Sequence, residues 1–365
     1  MWIFMVKRPP GSAPAFKAHY VARGFSQQQG VEYFQTFNPT PKMTTLQVLL
    51  HVAAQHDYEL HSLDFSTAFL QGSLPGFTGS FPAGTQWSLG WPVDGLRQTS
   101  RKWHMPLRTT LAALGFTPST ADPSLFLCTD MTLPPFYVLV YVEDLVIATA
   151  DTEALSLVKS ELQKRHTCTN LGPSALWLPV LLATAHSSVY LPLTLSSTFV
   201  RVGRAECMSG MGLVLGGRDP VVLTGHADAS WVDDMATQRS SQGYTFSLNS
   251  GSVSWRSTRL SSVLSSSCEA EIYAGAMAAQ ELRWFTYLLT DLGEQPRSPP
   301  FLYVDNKAMI ALCQEHRLEH ITKHITLRYF LARELQQHGQ IRLAYVASTA
   351  NTADIFTKAL PLSDH

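Results

Sequence analysis

The chain has little cysteine, no excess of charge of either sign and no long uninterrupted apolar run. Its 365 residues hold five cysteines, Cys128, Cys168, Cys207, Cys268 and Cys313, widely spaced and without a Cys-x-x-Cys pair. An odd, scattered set of this kind excludes a disulfide framework and offers no zinc-ligand spacing, so an intracellular, reducing compartment, cytoplasmic or nuclear, is expected. With 27 Lys and Arg against 28 Asp and Glu the formal net charge is -1. A global polycation that coats nucleic acid is thereby excluded, and any affinity for phosphates must come from local patches. The apolar Met1-Trp-Ile-Phe-Met-Val6 is followed at once by Lys7 and Arg8. It is too short for the apolar part of a secretory signal, with its charge on the wrong side, and no such signal is expected. One uncharged stretch, Leu171 to Val200, is interrupted by Pro173, Pro179, His186 and Pro192. It falls short of the roughly 18 apolar residues that a membrane span needs, so no membrane partner is expected. There is no internal repeat.

What is present is a globular composition: 45% of the residues are hydrophobic and 10% of the chain is aromatic, with a length sufficient for two or three domains. In residues 1–165 helix and strand patterns alternate in an α+β manner, and an α+β or α/β fold class is expected. Leu46 to Ala54 has helical spacing, Tyr58 to Asp64 alternates as a strand does, and Phe136 to Val142 is a β-rich run. Between Gly72 and Trp91 the chain turns to Gly, Pro, Ser and Thr, which predicts a long loop. Residues 166–217 show no sustained periodicity and are expected to form a poorly patterned linker.

Residues 218–362 are the most regular. Val221 to Asp228, Gln242 to Leu248 and Ser252 to Arg256 are expected as three successive strands, the last two joined at Asn249-Ser-Gly251. A long helix follows, capped within Ser265 to Ser267, with Ile272, Ala276, Ala279, Leu282, Phe285 and Leu289 as its apolar stripe and Gly293 as its stop. Phe301 to Val304 is a fourth strand, Asn306 onward a helix, His324 to Gln337 an amphipathic helix, Ile341 to Val346 a fifth strand and Thr352 to Leu360 a closing helix. Three antiparallel strands followed by crossovers, βββαβα(α)βα, is the order of a ribonuclease H architecture, a five-stranded mixed sheet with flanking helices.

Four carboxylates sit at the junctions of these elements. They are Asp228 in Gly225-His-Ala-Asp-Ala-Ser-Trp231, Glu271 in Ser267-Cys-Glu-Ala-Glu-Ile-Tyr273, Asp305 in Tyr303-Val-Asp-Asn306, and Asp354 in Ala353-Asp-Ile-Phe-Thr-Lys358. Taken singly, Asp354 is equally a partner of a helix dipole and Glu271 an exposed helix acid. Taken together, strand ends and helix starts can meet at one sheet edge. Hard oxygen ligands converging from several elements suit Mg²⁺, and two such ions roughly 3.5–4 Å apart can both make a nucleophile and clamp a leaving oxygen in phosphodiester hydrolysis.

These runs, with Arg239-Ser-Ser-Gln-Gly243, Val253-Ser-Trp-Arg-Ser257 and Thr322-Lys-His-Ile325, resemble the ribonuclease H region of copia-type retrotransposon polyproteins. The resemblance implies that Asp228, Glu271, Asp305 and Asp354 are a metal-binding tetrad holding two Mg²⁺ ions, with Mn²⁺ as an alternative. It also implies that the substrate is the RNA strand of an RNA/DNA hybrid, recognised by backbone shape and the 2′-hydroxyl. Lys323, His324, Arg328 and Arg333 are candidates to line the phosphates, or equally a solvated helix face.

The first region carries a second resemblance. Phe16-Lys-Ala-His-Tyr-Val-Ala-Arg-Gly-Phe-Ser26, Tyr33 to Pro39, Leu63-Asp-Phe-Ser-Thr-Ala-Phe-Leu-Gln-Gly72, Gly95-Leu-Arg-Gln98 and Tyr141-Val-Glu-Asp144 are similar to the fingers and palm of the same family's reverse transcriptase. This implies template-primer as partner, with Asp64, Glu143 and Asp144 as catalytic acids and Asp64 and Asp144 as metal ligands. It also implies substrate contacts at Lys17, Gln98 and Phe69, the last as a gate against the ribonucleotide 2′-OH. The chain departs from that family's pattern. Glu143 stands for an Asp, moving its carboxylate outward by about 1.5 Å. His19 stands for an Arg and Asp94 for a Tyr, the segment after Gly72 is shortened, and thumb and connection are reduced to residues 166–217. The expectation is a retained nuclease beside an impaired polymerase, the alternative being a non-catalytic relic that at most binds nucleic acid.

Overall fold

The computed structural model describes residues 2–7, 14–72, 77–80, 86–128, 130, 134–173, 193–196, 199–203, 212–216, 221–234, 236–249, 251–314 and 326–358. The chain divides into two compact units, Met1–Pro41 with Glu59–Ser174, and Lys42–Tyr58 with Ala175–His365.

In the first unit, β1 (Trp2–Lys7) and β2 (Ala15–Tyr20) pair antiparallel. Helix α1 (Met43–Gln55) comes next in the chain but belongs to the second unit. A six-stranded sheet is then built from β3 (Glu59–Asp64), β6 (Phe116–Pro118), β7 (Leu125–Cys128), β8 (Phe136–Tyr141), β9 (Asp144–Thr149) and β10 (Thr169–Pro173), ordered β10-β3-β9-β8-β7-β6. The segment expected as a loop holds a short hairpin, β4 (Phe77–Ser80) with β5 (Gln86–Leu89). Four-residue strands set among Gly, Pro, Ser and Thr carry too little alternation for sequence to show them.

Helices α2 (Thr99–Ala113) and α3 (Thr152–Arg165) pack on this sheet. Their buried residues recur at helical spacing, Trp103, Leu107 and Leu111 on α2 and Leu155, Val158 and Leu162 on α3. They meet the alternate residues Phe136, Val138 and Val140 of β8 and Leu145 and Ile147 of β9, which a period of two sends to one face. Asp151 caps α3 by accepting from the Ala154 N–H at 2.8 Å, and Lys164 and Arg165 lie in its last turn, where cations suit the helix dipole.

In the second unit, residues expected to be unpatterned form a meander of β11 (Leu193–Ser196), β12 (Phe199–Gly203) and β13 (Gly212–Leu215). Most of the uncharged stretch weighed above as a membrane span, residues 174–192 and 197–198, lies outside the described residues. Among those described, no helix is long and apolar enough to cross a membrane. A five-stranded mixed sheet follows from β14 (Leu223–Asp234), β15 (Arg239–Leu248), β16 (Gly251–Arg259), β17 (Phe301–Val304) and β18 (Arg342–Tyr345), ordered β16-β15-β14-β17-β18. The first three strands are antiparallel neighbours, and β17 and β18 join parallel to β14. This is the ribonuclease H-like arrangement that the element order predicts.

Between β16 and β17 runs α4 (Ser267–Asp291), with α5 (Lys307–Gln314) and α6 (Thr326–Gln337) following β17. The stripe expected on α4 is buried throughout, and Ala270, Ala274, Ala278 and Leu288 widen it, so the helix is covered over most of its circumference. Its start is a reciprocal cap. Ser266 Oγ accepts from the Glu269 N–H, and Glu269 Oε2 accepts from Ser265 N–H and Oγ–H at 2.8 and 2.7 Å. The helix stops before Gly293, which has φ of +76°.

Three strands outrun expectation: β14 continues six residues past Asp228, β15 begins at Arg239, and β16 continues to Arg259. The closing helix expected over Thr352 to Leu360 is corrected to a 3₁₀ turn at Asp354–Phe356, with the described chain ending at Lys358. Thr357 turns its side chain into the sheet toward Asp228, which a continuing helix would carry away.

Helix α1, placed by sequence with the first region, lies against β16. Thr44 Oγ bonds Ser254 Oγ at 3.1 Å, and Lys42 Nζ sits 3.3 Å from Glu281 and 3.6 Å above the Trp284 ring. His51 of α1 is fully buried; its Nδ1 accepts from the Gly216 N–H at 3.1 Å and its Nε2 has no partner. Burial pulls its pKa down to about 4 from 6.5, against a smaller upward pull from the Gln55 side chain. The unfolded chain therefore binds more protons than the folded one between those two values. Stability is expected to fall as pH drops from 6.5 toward 4, by about 3 kcal/mol in total from this group. Urea unfolding of the protein and of His51→Gln across that range checks it: the variant should lose this component of the pH dependence, and identical profiles would contradict the assignment.

Candidate metal centre

Asp228 projects from β14, with no solvent exposure, opposite Gly243 of β15. Parallel pairing places Ala227 beside Val304, so that the residues just after them, Asp228 and Asp305, emerge together at one sheet edge. Glu271 lies one turn into α4 and reaches the same edge. One ligand oxygen from each of Asp228, Glu271 and Asp305 lies within 4.8 Å of the others, the one such group of three among the described residues. Asp354, on the 3₁₀ turn, joins this cluster electrostatically.

The surrounding side chains hold the acids in place. Ser348 Oγ donates to Asp305 Oδ2 at 2.6 Å. Thr357 Oγ donates to Asp228 Oδ2, and Lys358 Nζ lies 3.2 Å from Asp228 Oδ1 and 3.0 Å from Asp354 Oδ2. Asn351 Nδ2 donates to the Ala227 carbonyl at 3.0 Å while its Oδ1 accepts from the Ala353 N–H at 3.2 Å, fastening the turn that carries Asp354 to the strand that carries Asp228. Gly243 permits the close approach: a Cβ there would stand 2.7 Å from Phe356 Cβ and 3.1 Å from Thr357 Cγ2.

The cluster is short of positive charge. Burial, then Asp228 and Asp305, push the Glu271 carboxyl up to about 9, with Lys358 and the Ala229 N–H pulling the other way. Asp354 is raised chiefly by burial, with Asp228 and Asp305 adding to it and Lys358 opposing. Asp354 Oδ1 is buried without a hydrogen-bond partner. Hard carboxylate oxygens, mutual repulsion and an orphaned buried oxygen fit a divalent cation, which would supply the missing partner and charge.

The acids of the first unit are differently arranged. Asp64 and Asp144 are cross-strand partners on β3 and β9. Glu143 is exposed in the turn between β8 and β9, where Val142 has φ of +56°, a strained conformation for a β-branched residue. Trp103 Nε1 donates to the Val142 carbonyl at 2.7 Å, and the Glu143 carbonyl accepts from Phe65 N–H at 2.8 Å, so the turn is held by its backbone. Burial, then Asp64 and Glu143, raise the Asp144 carboxyl to about 6. Phe69 is partly buried against the core of this unit. Gln98 is buried and accepts from Gln27 Nε2 at 3.1 Å. Lys323 and His324 lie outside the described residues, as do the side chains of Lys17 and Arg328, while Arg333 lies close enough to Cys313 to lower its otherwise raised pKa.

Sequence reasoning passed over Lys358, Thr357, Ser348, Asn351 and Gly243 as parts of the site. Lys358 had a signal, standing four residues after Asp354 in the same run; the others act through contacts that only the fold creates.

Residues 1–194 match the family model described as "Reverse transcriptase (RNA-dependent DNA polymerase)". The chain is similar to the "Retrovirus-related Pol polyprotein from transposon RE2" of Arabidopsis thaliana, 29% identical over 446 residues that cover 98% of this chain and 31% of that polyprotein. It is similar also to the polyprotein from transposon TNT 1-94 of Nicotiana tabacum, 24% identical with 99% and 34% covered. The chain thus spans about a third of the length of the curated relatives it matches. Among solved structures, ribonuclease H1 of Halobacterium salinarum NRC-1 is 14% identical, with 37% of this chain and 93% of that one covered and a TM-score of 0.29.

Because Gly243 lets the Asp354 turn lie on β15, Gly243→Ala is expected to push the turn outward and lower the unfolding free energy by about 1–3 kcal/mol. Urea titration of the full chain measures this, and an unchanged midpoint would show that the close approach is not needed.

Proposed function

From the premise that this chain belongs to the reverse transcriptase family, within retrotransposon Pol polyproteins of the copia type, we propose that its activity is divalent-metal-dependent hydrolysis of the RNA strand of an RNA/DNA hybrid. The observation that carries this is the convergence of Asp228, Glu271 and Asp305 to within 4.8 Å, beside the unpartnered Oδ1 of Asp354. Asp228, Glu271, Asp305 and Asp354 would hold two Mg²⁺ ions, or Mn²⁺ in their place. When bound, these supply a nucleophilic hydroxide at neutral pH and charge neutralisation on the leaving oxygen.

The chain's own residues provide position. Ser348 orients Asp305, Thr357 orients Asp228, and Asn351 ties their turn and strand together. The basic residues Lys323, His324 and Arg328 are proposed to contact the hybrid's phosphates, inside the cell and in the cytoplasm or nucleus where hybrids arise. Recognition would be by helix shape and 2′-hydroxyls, not base sequence.

DNA synthesis is proposed to be weak. Asp64 and Asp144 remain cross-strand neighbours, whereas Glu143, exposed on a strained turn, does not complete a three-ligand group with them among the described residues. A second reading, a relic that binds nucleic acid without cleaving it, is favoured by one observation. Lys358 already pairs with two of the four acids, so the cluster has a counter-ion without any metal.

A hybrid with a labelled RNA strand and a primed template, offered to the same purified full chain with Mg²⁺, decides among these. RNA cleavage should be abolished by chelation and reduced about 10²-fold or more by Asp228→Asn, the scale on which a misplaced catalytic group costs rate, while primer extension stays slow. Cleavage indifferent to the substitution would remove the assigned site, and no cleavage at all would favour the relic.

A further inference from the structure

Both oxygens of Asp228 are taken: Oδ2 by the Thr357 hydroxyl, Oδ1 by the Lys358 ammonium at 3.2 Å. The same ammonium lies 3.0 Å from Asp354 Oδ2, so it bridges two carboxylates that arrive from a strand and from a 3₁₀ turn. Asp228 has no exposure, and a buried carboxylate without a partner is among the costlier groups a fold can hold. Lys358 lies four residues after Asp354, at the end of the same turn, with its side chain 36% exposed. It is therefore rooted at the mouth of the site and not within it. A flexible four-carbon stem carrying a compact charge can leave toward solvent, which the planar fork of an arginine does less readily.

We infer that Lys358 is a built-in counter-ion of the four-carboxylate centre, holding Asp228 and Asp354 together before metal binds and leaving Asp228 Oδ1 when a divalent cation takes that oxygen. The inference rests on the metal-site reading above. It follows from charge and space: an ammonium and a divalent cation repel, and both claim the same oxygen. Lys358 is thus a positioning residue that stabilises the metal-free protein and opposes the first step of metal uptake. The exchange involves no covalent change, since the displaced ammonium keeps its proton and is solvated at the site's mouth.

The test is calorimetric titration of Mg²⁺ into the chelator-stripped full chain and into Lys358→Met, with thermal unfolding of each in the metal-free state. Lys358→Met is expected to melt lower without metal, to bind Mg²⁺ about tenfold more tightly through loss of the competing charge, and to gain more in melting temperature from saturating Mg²⁺. A residue with a merely structural role would, on removal, weaken both. Lys358→Arg, which keeps the charge, should retain the metal-free melting temperature and guards against the case in which the Met variant does not fold. If the parent chain binds Mg²⁺ and Lys358→Met binds it equally or more weakly, the inference is overturned while the metal-site reading stands. If the parent chain takes up no Mg²⁺, that reading fails and the inference with it.

Discussion

Asp228 is a carboxyl group with no exposure, on the strand that β15 and β17 flank, and the second unit's sheet edge is organised around what that burial requires. Parallel pairing of β14 with β17 sets Asp305 at its side, and the N-terminal part of α4 brings Glu271. The turn after β18 then returns with Thr357 and Lys358, which bond it. A buried acid among other acids is tolerated only where polar partners and opposite charge are supplied. Here a hydroxyl and one ammonium are supplied, and Asp354 Oδ1 is still left unpartnered. The remaining demand is for cationic charge, which is the physical content of a metal site.

The first unit arranges its acids differently. Asp64 and Asp144 face each other across two strands, and the added methylene of Glu143 extends from an exposed turn whose backbone is fixed by Phe65 and Trp103. Asp64 and Asp144 thus meet across one strand pair, while Asp228, Glu271 and Asp305 converge from two strands and a helix.

Where sequence spoke clearly, it did so through long periodic elements. The stripe from Ile272 to Leu289, its serine cap and Gly293 define α4 to within a few residues, because 25 residues of 3.6-fold repetition leave little ambiguity. The four acids stood out because each sits at the expected edge of a readable element, although Asp228 lies within β14 and Asp354 on a 3₁₀ turn. Short pieces were legible only in part: Phe301–Val304 shows by its apolar run, whereas Phe77–Ser80 and Leu193–Ser196 carry no usable period. The 3₁₀ turn at Asp354 is a tertiary product, shaped by its approach to Gly243 and by the pull of Asp228 on Thr357. Likewise α1 reads as part of the first region by position, and only its contacts with Ser254, Glu281 and Trp284 show where it packs.

Asp228, Glu271, Asp305 and Asp354 are proposed to form one site for divalent cations. Diffraction from crystals of the full chain soaked in Mn²⁺, recorded for its anomalous signal, tests this most directly. Two peaks among the four carboxylates, roughly 3.5–4 Å apart, with Lys358 drawn back from Asp228, are the expected result. An absence of anomalous density at well-ordered acids, with Lys358 still bridging Asp228 and Asp354, would contradict it.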